Sequence, residues 1–203
     1  MGQYYKAYLK NYDESGNEQA RVFSPMDYNY GYKLLEHAWI NNRFVDSVMA
    51  AITEKPTAVA WIGDYANEDE DFEEKPSTYN LQDYERAWHG EIGDDDELEF
   101  VNSSILNGYL LNCDQCQYID LKAWMALNGV EIELYNGEVI EQCLHPLPIL
   151  TAIGNGRGGG DYCSHNAEHV GDWAMNNIMF TTSEPPADYK ELDFSTIYFD
   201  SAA

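Results

Sequence analysis

Thirty-six Asp and Glu residues stand against eleven Lys and Arg, a formal net charge of −25 at pH 7. A chain of this kind folds only where it keeps its carboxylates apart or partners each one it buries. The charge is unevenly spread: residues 66–100 hold fourteen carboxylates, opposed only by Lys75 and Arg86. Blocks of like charge repel and resist compaction. The expected organisation is therefore a single acidic domain over 1–203, with candidate halves 1–65 and 101–203 joined by 66–100. Sixteen Tyr, five Trp and seven Phe supply core material that disordered acidic chains lack. A chain of 203 residues can bury roughly 70% of its unfolded surface without disulfides or metal staples.

The same charge sorts the partners. Phosphate backbones and anionic lipid headgroups are repelled, which argues against direct nucleic-acid or membrane binding. No apolar run reaches the roughly 20 residues a membrane helix needs. Met1 to Lys6 has neither a basic leader nor an apolar stretch, and Lys6 breaks the myristoylation pattern. Four cysteines give no disulfide density, so the expected setting is a reducing cytoplasm. Attraction runs toward cations, basic peptides or the nucleic-acid groove of another protein; the plainer reading is that the net charge serves solubility.

Local patterns predict an α+β fold with a mixed, mainly antiparallel sheet and a few short helices, with two halves of similar build as an open alternative. Tyr5, Ala7 and Leu9 alternate with Tyr4, Lys6, Tyr8 and Lys10, a strand with one wet face. Asp13 to Glu18 turns it into a returning strand at Ala20 to Phe23. Asn42 is a helix cap, and Phe44, Val45, Val48, Met49 and Ile52 follow at helical spacing. Thr57 to Ile62 reads as a buried strand and Leu81 to Trp88 as a short helix between two acidic loops. Tyr109 to Asn112 and Gln117 to Leu121 flank a tight turn. Val130 to Tyr135 and Glu138 to Leu144 form a hairpin on Asn136-Gly137, a pair that takes positive φ readily. His145 to Pro148 reads as extended and Ile149 to Ile153 as buried. Residues 168–176 read as helical, Asn177 to Thr182 as a strand, and a short helix is expected after Pro186. Phe194 to Phe199 closes the chain. The triplet Gly-Asp-Tyr recurs at 63–65 and 160–162, a thin sign of duplication.

Four constellations carry candidate chemistry. Gly154 to Asp161 contains G-x-G-x-x-G but no amphipathic helix after it, so a dinucleotide fold is disfavoured. Its glycines can still expose successive N–H groups as an anion nest, making Gly156, Arg157, Gly158, Gly159, Gly160 and Asp161 an alternative phosphate or nucleotide site. The plainer reading is a loop whose glycines supply positive φ. Cys113, Cys116, Cys163 and His165 (or His169) could form a zinc tetrahedron, but Cys113 and Cys116 read as a hairpin tip, and unrelated thiols are the simpler account; no cofactor is expected. Glu36, His37, Asp64, His145, Arg157, Asp161 and His165 are acid–base candidates without a nucleophile signature, so a non-enzymatic chain is the favoured reading and an enzyme using the Gly154 to Asp161 loop the alternative.

The fourth is the acidic segment. Glu68, Asp69, Glu70, Asp71, Asp94, Asp95, Asp96, Glu97 and Glu99 can imitate phosphates toward a basic groove if they are held in order. Tyr79, Tyr84, Trp88 and Phe100 are candidate anchors there.

Met1-Gly2-Gln3-Tyr4-Tyr5, Lys33-Leu34-Leu35-Glu36-His37, Trp61-Ile62-Gly63-Asp64-Tyr65, the block Gly154 to Tyr162, and Val170-Gly171-Asp172-Trp173-Ala174 together resemble an uncharacterised family of bacterial and phage proteins. The resemblance covers most of the chain and brings no assigned activity, so it implies no catalytic residues. It implies other residues than cysteine at 113 and 116. A phage or mobile-element setting favours an inhibitor of a nuclease or defence complex, an anti-CRISPR-like nucleic-acid mimic, or an immunity protein. That step is analogy of composition.

Overall fold

Alternating side chains around Ala7 produce the strand on which the sheet is assembled. A computed structural model describes residues 2–66, 81–89, 107–133, 137, 139–163 and 169–192. Strand β1 (Tyr5–Tyr12) returns as β2 (Glu18–Phe23) through a turn in which the Asp13 carboxylate accepts the N–H groups of Ser15 and Asn17, both at 2.9 Å. A 3-10 turn at Pro25–Tyr28 and the single turn α1 (Leu34–His37) lead to α2 (Arg43–Ala51). Asn42 caps α2 as expected, its side chain accepting from Phe44 and Val45. Strand β3 (Thr57–Gly63) and helix α3 (Leu81–Trp88) follow.

The second half begins with the hairpin β4 (Tyr109–Asn112) and β5 (Gln117–Asp120). Helix α4 (Leu121–Asn128) was not anticipated, although its signal is present. Asp120 caps it by accepting from Lys122 at 2.9 Å and Ala123 at 3.1 Å. Strands β6 (Val130–Glu133) and β7 (Val139–Gln142) form a separate antiparallel pair; Asn136 of their connection lies outside the described residues. His145 to Pro148 is not extended. His145 caps α5 (Pro146–Leu150), whose first residue has the φ that proline already holds. Strands β8 (Ala152–Ile153), β9 (Asn177–Thr181) and β10 (Lys190–Glu191) finish the described chain. Between β8 and β9, residues 169–176 wind through turns and not a helix, with positive φ at Gly171 and Met175. The segment after Pro186 reaches β10 without a helix. Phe194 to Phe199 lies outside the described residues.

The main sheet runs β10-β5-β4-β9-β3-β1-β2, with β8 also paired to β3. Among the described strands, only β10 with β5 and β8 with β3 are parallel, so the fold is α+β with a mixed, mainly antiparallel sheet. Each half gives a hairpin and a later strand antiparallel to the hairpin's first strand: β1–β2 with β3, and β4–β5 with β9. Strands β3 and β9 meet antiparallel in the middle, joining both halves in one sheet. The Gly-Asp-Tyr triplets do not follow this repeat. The first ends β3, while the second lies in the loop before β9.

Both faces of the sheet are covered. Tyr5, Ala7, Leu9, Val59 and Trp61 face the larger core with α1, α2, α4 and α5. The expected wet face of β1 is instead packed: Tyr8, Ala60 and Ile62 are fully buried with Tyr84 and Ala87 of α3. The two lysines on that face made it look solvated, but α3 uses them. Lys10 reaches the buried Asp83 carboxylate at 3.0 Å, where the Tyr8 hydroxyl also donates at 2.9 Å. Lys6 donates to the Ala87 carbonyl and lies over the Trp88 ring. Arg86 pairs with Glu18 on β2.

Removing one partner of a buried pair leaves the other charge uncompensated, a loss of about 3 kcal/mol or more. Lys10→Met is therefore expected to lower the unfolding free energy in urea by about that amount, and Lys10→Met with Asp83→Leu to lose less. Equal losses in the two would contradict this pairing.

Candidate functional site

Strand β8 delivers the chain into the glycine loop at Gly154, whose φ is +89°. The loop neck is closed by Asn155, which accepts from the Tyr162 N–H at 2.8 Å and donates to the Tyr162 carbonyl at 2.9 Å. Positive φ at Gly156 and Gly160 then turns the backbone N–H groups inward. Those of Gly156, Arg157 and Gly158 converge on one oxygen of Asp161 at 2.8, 2.9 and 2.9 Å. The other oxygen accepts the Tyr5 hydroxyl at 3.0 Å. The anticipated nest is thus formed, but a buried carboxylate of the same loop fills it. A phosphate could use these donors only by displacing Asp161.

The loop is also fastened outward. Gly159 bridges to Gly2, the Gly160 carbonyl accepts from Leu35 N–H at 3.2 Å, and the Arg157 guanidinium donates to the Tyr65 carbonyl at 3.3 Å. Gln3 was missed by sequence reasoning, because nothing nearby in the chain marks it. It is fully buried in a cradle where a Cβ at Gly63, Gly154 or Gly158 would strike it, and its amide atoms have no hydrogen-bond partner among the described residues.

The histidine candidates separate. His37 Nδ1 lies 2.9 Å from the Gly31 carbonyl, and its Nε2 accepts from the Trp61 indole at 3.1 Å. Both ring nitrogens are engaged by a neutral imidazole, which burial pushes down to about 4, the Gly31 carbonyl and Glu36 offsetting only part of the effect. Glu36 turns away to accept from the Lys33 N–H, so Glu36 and His37 form no acid–base pair. Burial likewise holds His145 down, to about 3, with Nδ1 accepting from Leu147 N–H. Asp64 accepts the Tyr4 N–H at 3.0 Å beside the end of β3. Among the described residues, His169 does reach a carboxylate, Asp172 at 2.9 Å, in an ion-pair geometry open to solvent. His165 lies outside the described residues.

Cys113 and Cys116 sit at the β4–β5 tip, as the sequence indicated, and Cys163 is exposed after the glycine loop. No group of three or more His, Cys, Asp or Glu is placed to hold a metal among the described residues. Among the described residues, no helix is long and apolar enough to cross a membrane.

The nine candidate contact carboxylates, Glu68 to Asp71, Asp94 to Glu97 and Glu99, lie outside the described residues, as do Tyr79 and Phe100. The middle of their segment is α3. Tyr84 and Trp88 are not outward anchors: Tyr84 donates to the Asp64 carbonyl at 2.9 Å and Trp88 to the Ile62 carbonyl at 3.2 Å. Comparison with protein-family models, curated proteins and solved structures found no match.

Two measurements check this site. Asp161→Asn keeps the shape but replaces a charged acceptor, and hydrogen bonds to charged groups contribute about 1.5–3 kcal/mol. A drop of at least about 1.5 kcal/mol in urea-unfolding free energy is expected, and an unchanged value would rule out the carboxylate as the loop's staple. For His37, the unfolded ring titrates near its ordinary value of 6.5 and the folded one at about 4. The unfolded chain therefore binds the proton first as pH falls. The stabilisation is complete above about 6.5 and is lost down to about 4, by at most about 1.4 kcal/mol per pH unit. His37→Asn should show a flatter stability profile across that window; parallel profiles would contradict the assignment.

Proposed function

We propose that this chain is a non-enzymatic acidic binding protein that engages a basic protein partner through residues 66–100. The observation that carries the reading is the mounting of α3. Lys6, Lys10 and Arg86, three of only eleven bases, are committed to holding a helix at the centre of the acidic segment. A segment serving only solubility needs no buried carboxylate or ion pair to hold its midpoint, since desolvating charges is costly. With α3 held against the sheet by Lys6 and Lys10, the middle of the segment has a fixed position. Carboxylates as numerous as the fourteen of residues 66–100 favour association with a basic groove by long-range steering.

In a phage or mobile-element setting, the partner class is a nuclease or defence complex inhibited by an anti-CRISPR-like nucleic-acid mimic, or a nuclease toxin bound by an immunity protein. Contact falls to Glu68, Asp69, Glu70, Asp71, Asp94, Asp95, Asp96, Glu97 and Glu99. The alternative, a phosphate or nucleotide held by Gly156 to Asp161, is less favoured because Asp161 already occupies the donors.

The test is capture of partners from nuclease-treated lysate at low and high salt. Wild-type protein is expected to retain a basic protein at low salt and release it at high salt. A variant carrying Asp94→Lys, Asp95→Lys, Asp96→Lys, Glu97→Lys and Glu99→Lys should retain none of it. Equal retention by both proteins, or salt-insensitive retention, would contradict the proposal.

A further inference from the structure

Cys113 and Cys116 are the first and last residues of the four-residue connection between Asn112 and Gln117, which face each other across β4 and β5. Facing residues in an antiparallel pair lie about 4.5–5.5 Å apart at Cα. A connection one step beyond such a pair starts near the window of about 4.4–6.8 Å that a disulfide requires. Both cysteines are half-buried and free, so a small reagent can reach them. The residues between them are pinned. Asn112 accepts from the Asp114 and Gln115 N–H groups at 3.1 and 3.0 Å, Asp114 accepts from Asn177 N–H at 2.8 Å, and Gln115 donates to Asn176 at 2.8 Å. The turn therefore loses little further freedom when its ends are joined.

The returning chain rests on the same two residues. The Tyr189 side chain hydrogen-bonds Cys113, and the Lys190 N–H donates to the Cys116 carbonyl at 2.9 Å, where β10 starts its parallel run beside β5.

We propose that Cys113 and Cys116 are a redox-active dithiol that exchanges with small-molecule disulfides such as glutathione disulfide, and that closing the bond weakens the hold on β10. In the first step the Cys116 thiolate attacks one glutathione sulfur. The glutathione S–S bond breaks, a mixed disulfide forms, and one glutathione departs as thiolate. The Cys113 thiolate then attacks the Cys116 sulfur and expels the second glutathione. Two protein thiols are oxidised by two electrons, glutathione disulfide is reduced, and the two thiol protons end on the two glutathiones. Cys113 acts second because burial pushes its thiol pKa up, against the opposing hydrogen bond from Tyr189. That hydrogen bond belongs to the reduced state and weakens when the sulfur enters the disulfide.

The experiment equilibrates the full reduced chain in glutathione buffers, in native conditions and in urea, followed by acid quench, alkylation and mass mapping. The expected result is a Cys113–Cys116 disulfide whose formation constant is about tenfold larger in the native protein than in urea, a difference of about 30 mV. Cys113→Ser should hold a single glutathione on Cys116. Tyr189→Phe should shift the native equilibrium toward the disulfide by roughly threefold. A native constant no larger than that in urea, or separate glutathiones on both cysteines of the wild type, would overturn the dithiol pair. An unshifted Tyr189→Phe equilibrium would overturn its link to β10.

Discussion

Two tyrosines of β1 end on buried carboxylates, and most of the fold is organised by that pair of contacts. Tyr5 points into the larger core and donates to Asp161; Tyr8 points to the opposite face and donates to Asp83. Burying an unpartnered carboxylate in so acidic a chain would be prohibitive. Each is therefore given donors from distant parts of the sequence: three backbone N–H groups for Asp161, and Lys10 for Asp83. Burial holds the Tyr8 hydroxyl well above the usual phenol range, so it remains a donor at physiological pH. One strand thus fastens the glycine loop on one side and the centre of the acidic segment on the other.

These contacts distribute charge as well as hold structure. Lys6 and Lys10, which on a bare strand would soften the acidic surface, face α3 instead. The same economy governs the glycine loop, whose convergent N–H groups answer a carboxylate of the chain itself. Positive potential is thus used internally, at Asp83 and at Asp161.

Short-range patterns were legible. The period of two in β1, the Asn42 cap and the apolar spacing through Ile52 each act within a few residues, and each led to the correct element. Contacts across long stretches were not. Lys10 and Asp83 are 73 residues apart, so the second face of β1 read as solvent-exposed. The nest was legible in its glycines, but the sign of φ decides where the N–H groups point, and the spacing of letters does not reveal that Asp161 receives them. His37 read as an ambiguous acid–base candidate because its partners, Gly31 and Trp61, are named only by the fold. Gln3 carries no local signal at all. Other errors were local. Prolines at 146 and 148 suggested extension, whereas a proline at the first helical position is well tolerated, and the positive φ at Gly171 broke an expected helix.

The central claim is that α3 is a fixed mount for the acidic segment, and native-state hydrogen exchange of the α3 amides, read beside those of β1 and β3, tests it most directly. Amides hydrogen-bonded within α3, His89 among them, are expected to exchange through the same global opening that governs the two strands. Exchange of α3 by local opening, orders of magnitude faster than the strands, would contradict the claim, because the segment would then have no fixed point on the sheet.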